Sequence, residues 1–383
     1  MAKYFHNAKK LDANGIVDDF WLIAADGIIQ HVGSGNAPSG LLPDNVEVVD
    51  VGGNWLTPGF IDIHCHGGGG YSFDEDAGSI RSAIKTHRAH GTTRSILSLV
   101  ANPVSTLCAS LELIAELCDS DPTILGSHLE GPFLSEARKG AHNPVYLRVP
   151  DSEAIEALNG ASRETLRQVT IAPELPEAME AIDQFVDAGI RVAVGHTDAD
   201  YATTRSAFDH GATILTHAFN AMNGIHHRAP GPVVAAIDDD RVFIELILDG
   251  LHVHPRVADL LIGSSPSRIV LVTDAMAAAG AEDGDYRLGS LNVTVANSVA
   301  TLSGTDTIAG STLTLDLAFR NAVSNLQVDP VIAISAMTQV PARALGFDAT
   351  YGVIDRGFQA DFNQFDHTFN LSQTWVSGDL VQT

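Results

Sequence analysis

Short apolar runs rich in Val, Ile and Leu recur along the middle of the chain, separated by stretches whose apolar positions fall three and four apart. The runs predict buried strands at 60–66, 92–99, 123–130, 168–173, 191–196, 213–217, 242–249 and 268–274. The intervening stretches predict helices at 78–90, 104–118, 151–167, 176–189, 199–210 and 254–263, with a last helix near 311–325. Eight strand–helix alternations predict an α/β chain folded as a (β/α)8 TIM-type barrel. A doubly wound open sheet is the other arrangement such a pattern allows. Both ends of the chain read differently. Residues 20–33 place Asp26-Gly27 between two apolar runs, a hairpin signal, and 46–53 alternate before stopping at two glycines. Residues 286–304, 353–366 and 374–383 look similar. These β-rich ends predict a small β-sandwich domain built from both termini, residues 1–57 with 345–383, around a barrel at 58–344.

Composition narrows the function classes. Of 383 residues, 45% are hydrophobic and only 18% charged, which supports a sizeable core and excludes disorder by composition. Lys and Arg number 22 against 47 Asp and Glu, a formal charge of −25. That balance disfavours non-specific nucleic-acid binding and adhesion to anionic membranes. An anionic substrate would need a pocket that overcomes this field locally. Cys65, Cys108 and Cys118 form no CxxC pair, which fits a reducing compartment. No apolar leader opens the chain, and no run reaches the ~18 apolar residues of a membrane span. The expectation is a soluble cytoplasmic protein.

In a barrel, chemistry gathers at the C-terminal ends of the strands. Five of the predicted strands end in a metal ligand or an acid: IDIHCH, SHLE, VAVGH, ILTH and LVTD. His64 and His66, two apart on a strand, would face the same side and could grip one ion, or could be satisfied core histidines. Glu130 could serve one metal, bridge two, or pair with Arg138 or Lys139. His196 and His217 end two further strands, and this nitrogen and oxygen set suits zinc or iron(II). Asp274 could exchange a proton with a metal-activated water, or cap the next segment. His142 lies in a loop from which it could polarise a carbonyl. The loop 217–231 carries Asn220, His226, His227 and Arg228, a set suited to phosphate, and His252 and His254 follow the seventh strand. The chain contains no GxxxxGK[ST] and no GxSxG.

The motifs PGFIDIHCHG (58–67), HLEGPF (128–133), KGAHNP (139–144), GHTDA (195–199), HAFNAM (217–222), DGLHVH (249–254) and LVTDAM (271–276) resemble those of N-acetylglucosamine-6-phosphate deacetylases in the amidohydrolase superfamily. The first marks the superfamily; HLEGPF, KGAHNP and HAFNAM are more specific. The resemblance runs from about residue 50 to PARALG at 341–346. It implies a homodimer that hydrolyses the acetamide of an amino sugar phosphate, using one or two divalent metals per subunit, zinc or iron(II). It implies Glu130, His196 and His217 as ligands of the main metal, with His64 and His66 matching members that hold a second. Asp274 matches the acid/base and His142 the contact to the acetyl carbonyl. Asn220, Ala221 through its backbone, Arg228 and His252 match sugar-phosphate contacts. His227 and Arg228 are candidates for the basic residue that a partner subunit contributes. Deacetylation of the galacto epimer is a close alternative. Another amidase or deaminase of the superfamily is further away, since the fourth strand ends TIAPE with no lysine for carbamylation. A non-catalytic barrel would be expected to have lost ligands, and the full set is present.

Overall fold

The computed structural model describes residues 2–43 and 45–381. Eight parallel strands pair in chain order: Phe60–Asp62, Thr92–Val100, Ile124–Glu130, Leu166–Ile171, Arg191–Val194, Ile214–Leu215, Phe243–Ile247 and Ile269–Val272. Most are apolar on both faces, and every residue of Thr92–Val100 is buried, as a parallel sheet covered on both sides requires. The edges of this sheet meet just beyond its first and last strands. Cys65 and Ala275 form a parallel bridge, the Asp274 N–H donates to the His64 carbonyl at 2.8 Å, and the Thr273 hydroxyl donates to Asp62 Oδ2 at 2.6 Å. The fold is thus a nearly closed TIM-like barrel, as the alternation predicts.

The helices fall where the 3.6-residue pattern places them, with shorter bounds. Ser152–Ser162 and Tyr201–Asp209 open on Asp151 and Asp200, whose carboxylates accept the Ala154 and Thr203 N–H groups at 3.0 and 2.8 Å. The helix expected to run to 167 stops at Ser162, because Arg163 and Glu164 turn left-handed, at φ 47° and 65°. The strand then begins at Leu166. A short helix, Gly231–Ile237, follows the loop read as a phosphate binder and was not anticipated.

Contacts divide the chain into two compact units: Met1–Ile61, His87–Arg94 and Leu315–Thr383 in one, and Asp62–Thr86 with Ser95–Thr314 in the other. In the first unit, strands from both termini form one eight-stranded sheet. Its N-terminal and C-terminal strands meet within the sheet, where Trp55–Pro58 runs antiparallel to Phe362–Phe365. Gly15–Ala25 and Ile28–Ser34 make the expected hairpin, turning at Asp26 (φ 53°) and Gly27 (φ 77°). Phe5 packs edge-on against Phe362 and Trp375, at ring separations of 5.4 and 4.9 Å.

One sequence expectation is corrected here. Residues 286–304 do not join the terminal sheet. Gly284–Leu288, Leu291–Ala296 and Val299–Leu302 form their own antiparallel sheet in the second unit. Alternation identifies a half-buried strand but not its neighbours. Here the local turn at Asn297 and Ser298, both left-handed, pairs the strands with one another.

Candidate active site

The residues singled out at the strand ends converge, although not from within the strands. Glu130 excepted, each functional side chain lies two positions past the end of its ladder, and His66 four. His196, His217 and Asp274 lie just past their strands, at φ 46°, 25° and 48°. Such left-handed backbone is uncommon outside glycine and clusters at functional sites. His64 and His66 likewise follow Asp62 rather than sitting on a regular strand, yet their Nε2 atoms come within 3.2 Å.

Glu130 is the hub. Its Oε1 lies 2.9 Å from His217 Nε2, 3.1 Å from His196 Nε2 and 3.3 Å from His64 Nε2. Its Oε2 lies 3.1 Å from His66 Nε2 and 3.4 Å from His142 Nε2. Asp274 Oδ1 stands 3.4 and 3.3 Å from the Nε2 atoms of His64 and His66. Ligand atoms of His64, His66, Glu130 and Asp274 all lie within 4.8 Å of one another, as do those of Glu130, His142 and His196. A pairing of Glu130 with Arg138 is not what forms: Arg138 reaches Asp198 at 2.8 Å and also Asn223. Glu174, the acid after the fourth strand, is engaged by the Thr197 hydroxyl and the Asp198 N–H.

The group is buried throughout, and burial alone would discharge it. For the carboxylates the neighbouring histidines outweigh that penalty. Glu130 is held well below the usual carboxylate range by the His64 charge and by bonds from His142 and His217, and Asp274 is lowered to about 2 by His64 and His66. For His66 the bonds to Asp274 and Glu130 outweigh burial and raise it to about 10. His196 goes the other way. Burial, together with the charges of His142 and His217, lowers it to about 4, so it is neutral near pH 7.

Hydrogen bonds on the far side of two rings decide which nitrogen faces the centre. His196 Nδ1 donates to the Arg138 carbonyl at 2.9 Å, and a carbonyl can only accept. The neutral ring therefore turns an unprotonated Nε2 toward Glu130 Oε1 at 3.1 Å, so that two acceptors face each other with no proton between them. His64 Nδ1 is likewise bonded to a carboxylate, Glu245 Oε2, at 2.9 Å. Converging lone pairs and carboxylate oxygens of this kind match the nitrogen and oxygen donor set of a divalent cation. The residues present fit such an ion.

A cavity of about 330 Å³ opens above this floor. His66, Glu130, His142, His196, His217 and Asp274 line it, together with Asn220, Ala221 and His252. His142 Nδ1 accepts the Ala101 N–H at 3.2 Å, which leaves the ring proton on Nε2, the atom turned toward Glu130 and the cavity. His252 Nδ1 is tied to Asp249 Oδ2 at 2.6 Å. Asn220 bonds the carbonyls of His217 and Ala218 through Nδ2, both at 3.2 Å. Arg228 and His227 are not part of the lining; they stand exposed on the loop beyond it.

The sequence reading passed over three features. Glu245, in the middle of Phe243–Ile247, is buried and bonded to His64. Its signal was a lone acid inside the apolar run FIELIL. His128 sits beneath the cluster, bonded to Ser98 at 3.0 Å and to Thr170 at 2.9 Å, with its ring edge-on to His64. Leu288, Thr307 and Ile308 form a wall of the cavity and carry no chemical signature.

Comparison with known proteins fits this geometry. The model of the amidohydrolase family matches residues 55–381. The chain is 39% identical over 376 residues to an N-acetylgalactosamine-6-phosphate deacetylase of Escherichia coli O157:H7, covering 97% of each. It is 35% identical over 349 residues to the N-acetylglucosamine-6-phosphate deacetylase of Mus musculus, covering 88% of this chain and 85% of that one. Among solved structures, a variant of the N-acetyl-D-glucosamine-6-phosphate deacetylase of Mycobacterium smegmatis in complex with N-acetyl-D-glucosamine-6-phosphate superposes with a TM-score of 0.93 at 39% identity, covering 100% of this chain and 99% of that one. This chain belongs to the amidohydrolase family, a family of divalent-metal hydrolases, and within it to the group that holds the N-acetylglucosamine-6-phosphate deacetylases.

Proposed function

We propose that this chain hydrolyses the acetamide of N-acetyl-D-glucosamine 6-phosphate, releasing acetate and D-glucosamine 6-phosphate. The observation that carries the reading is the pairing of two opposed groups in one cavity: a buried carboxylate, Asp274, and a histidine, His142, whose Nε2 bears a proton. Amide hydrolysis needs both a group that moves a proton from water to the amine and a donor for the carbonyl oxygen.

Glu130, His196 and His217 would hold the main divalent ion, and His64 with His66 a second. Such an ion supplies Lewis acidity toward a carbonyl oxygen and makes water acidic enough to lose a proton near neutral pH. Asp274 accepts that proton as the water attacks, and returns it to the nitrogen as the carbon–nitrogen bond breaks. His142 Nε2–H donates to the oxygen on which negative charge develops. Asn220, the Ala221 backbone and His252 hold the sugar phosphate at the cavity wall. Holding it there fixes the acetamide over the donor cluster, and orientation of this kind can supply several kcal/mol.

Zinc and iron(II) both suit the donor set. In this reading the catalytic barrel runs from 58 to 344 and the accessory β domain comprises 1–57 with 345–383, a division that follows the strand order. The exposed placement of His227 and Arg228 suits residues that reach the phosphate of a neighbouring subunit in a homodimer. The three cysteines, with no CxxC pair, favour a reducing, cytoplasmic compartment. Among the described residues no helix is long and apolar enough to cross a membrane.

A second reading, the galacto epimer as substrate, is favoured by the 39% identity to the Escherichia coli protein named for it. Acetate release from both sugar phosphates, measured side by side with the purified protein, tests the two. Preference for the gluco sugar supports the first reading, preference for the galacto sugar replaces it with the second, and release from neither overturns both.

A further inference from the structure

Glu245 lies at the centre of the barrel strand Phe243–Ile247, fully buried. A carboxylate at that depth is costly unless its oxygens are occupied. Oε1 accepts from Gln168 Nε2 at 2.8 Å. Oε2 accepts twice: from His64 Nδ1 at 2.9 Å and from the His217 backbone N–H at 3.2 Å. One oxygen therefore holds a side chain from one half of the donor cluster and the backbone of a residue from the other.

A neutral imidazole carries its proton on either nitrogen, and the hydrogen bond at one decides what the other offers. Without an acceptor at Nδ1, His64 could place its proton on Nε2, the atom that faces His66, Glu130 and Asp274. A proton there excludes a cation. We propose that Glu245 is a positioning residue for the ion at the His64–His66 pair: it keeps the His64 proton on Nδ1, aims the Nε2 lone pair at the centre, and supplies the negative charge that strengthens this imidazole as a donor. This rests on the reading that His64 and His66 hold an ion. Carboxylates behind ligating histidines act this way in general, and removing one lowers metal affinity about 10- to 100-fold.

Glu245→Gln tests the charge with little change of volume. The glutamine oxygen can keep the Oε2 position and both of its donors. The new amide group then faces Gln168, whose Oε1 makes no hydrogen bond and can turn to accept it. Full-length wild type, Glu245→Gln and His64→Ala would be dialysed against a series of buffered free Zn²⁺ concentrations and their zinc content per chain measured. The wild type is expected to bind two equivalents. His64→Ala is expected to lose one, and Glu245→Gln to bind that same one about 10- to 100-fold more weakly while the other shifts little. A general loss of structure would weaken both equivalents together. Gln168→Leu, which keeps the carboxylate and removes one of its anchors, is expected to weaken the same equivalent by a smaller factor and serves should the glutamine variant fail to fold. Two equivalents of unchanged affinity in Glu245→Gln overturn the proposal alone. A single equivalent in the wild type, unaffected by His64→Ala, overturns both the proposal and the reading beneath it.

Discussion

At the scale of single residues, the site separates roles that look alike in the sequence. Of the five buried histidines around Glu130, His142 presents a protonated Nε2 and His196 an unprotonated one, because one ring accepts from a backbone N–H and the other donates to a backbone carbonyl. Replacing His142 with Ala should therefore leave metal content intact and lower kcat about 10²- to 10³-fold, the usual cost of losing one donor to a developing oxyanion. Steady-state kinetics beside metal analysis check this. Asp274→Asn keeps the shape but cannot take up a proton. It should bind metal and substrate while turnover falls about 10²- to 10⁴-fold; near-normal turnover would show that another group carries the proton. His64, His66, Glu130, His196, His217 and Asp274 were legible as candidates, because His, Glu and Asp at the ends of apolar runs are conspicuous; His142, in a loop, stood out only through the resemblance of KGAHNP to a family motif. Glu245 was not, because a single acid inside a strand marks no chemistry until its partner, 181 positions away, is seen beside it.

At the scale of elements, the strand–helix alternation carried the barrel, and strand ends carried the errors. Runs such as 191–196 and 213–217 look like strands to their last residue. The ladders stop at Val194 and Leu215 because the next residues turn into left-handed backbone to aim their side chains across the cavity. Pattern reading cannot see that turn, since His196 and His217 are not residues that announce one. Gly195 shows how tight the junction is. A Cβ added there would stand 2.6 Å from the Thr216 Cβ and 2.8 Å from the Thr170 Cγ2. Gly195→Ala must push its neighbours apart, at a cost of about 1–3 kcal/mol, and the displaced residue next in the chain is His196. The variant should unfold at a lower temperature and come out of purification with less metal than wild type. A full metal complement would show that the strands give way without moving the imidazole. The misplaced segment 286–304 belongs to this scale as well, because alternation sets the face of a strand and leaves its partner open.

At the scale of the whole molecule, the donor set is drawn from the ends of five barrel strands. An ion held there binds the folded chain and not the unfolded one, and so stabilises it by mass action, about 2.7 kcal/mol at a free concentration a hundred times its dissociation constant. Dialysis against a chelator should abolish acetate release and lower the thermal midpoint, and restoring zinc or iron(II) should recover both. A midpoint indifferent to the chelator would mean that the cluster is not a metal centre. The charge of −25 has its own reading at this scale. A phosphate-bearing substrate approaches against the field of the protein, so recognition has to come from short-range contacts in and around the cavity, which His252 and Asn220 line, and not from long-range attraction.

The stitch between Cys65 and Ala275 joins positions 210 apart in the chain. A nascent polypeptide leaving the ribosome exposes His64 and His66 early, but Asp274 and the bridging backbone emerge only after most of the protein has been made. Until then the ring of strands stays open at that edge, and loop closure over so long a span is among the slower events of folding. Closure of the ring is thus scheduled by topology. A chain cut short before residue 274 would carry His64, His66, Glu130, His196 and His217 and still lack Asp274 and the backbone that closes the ring.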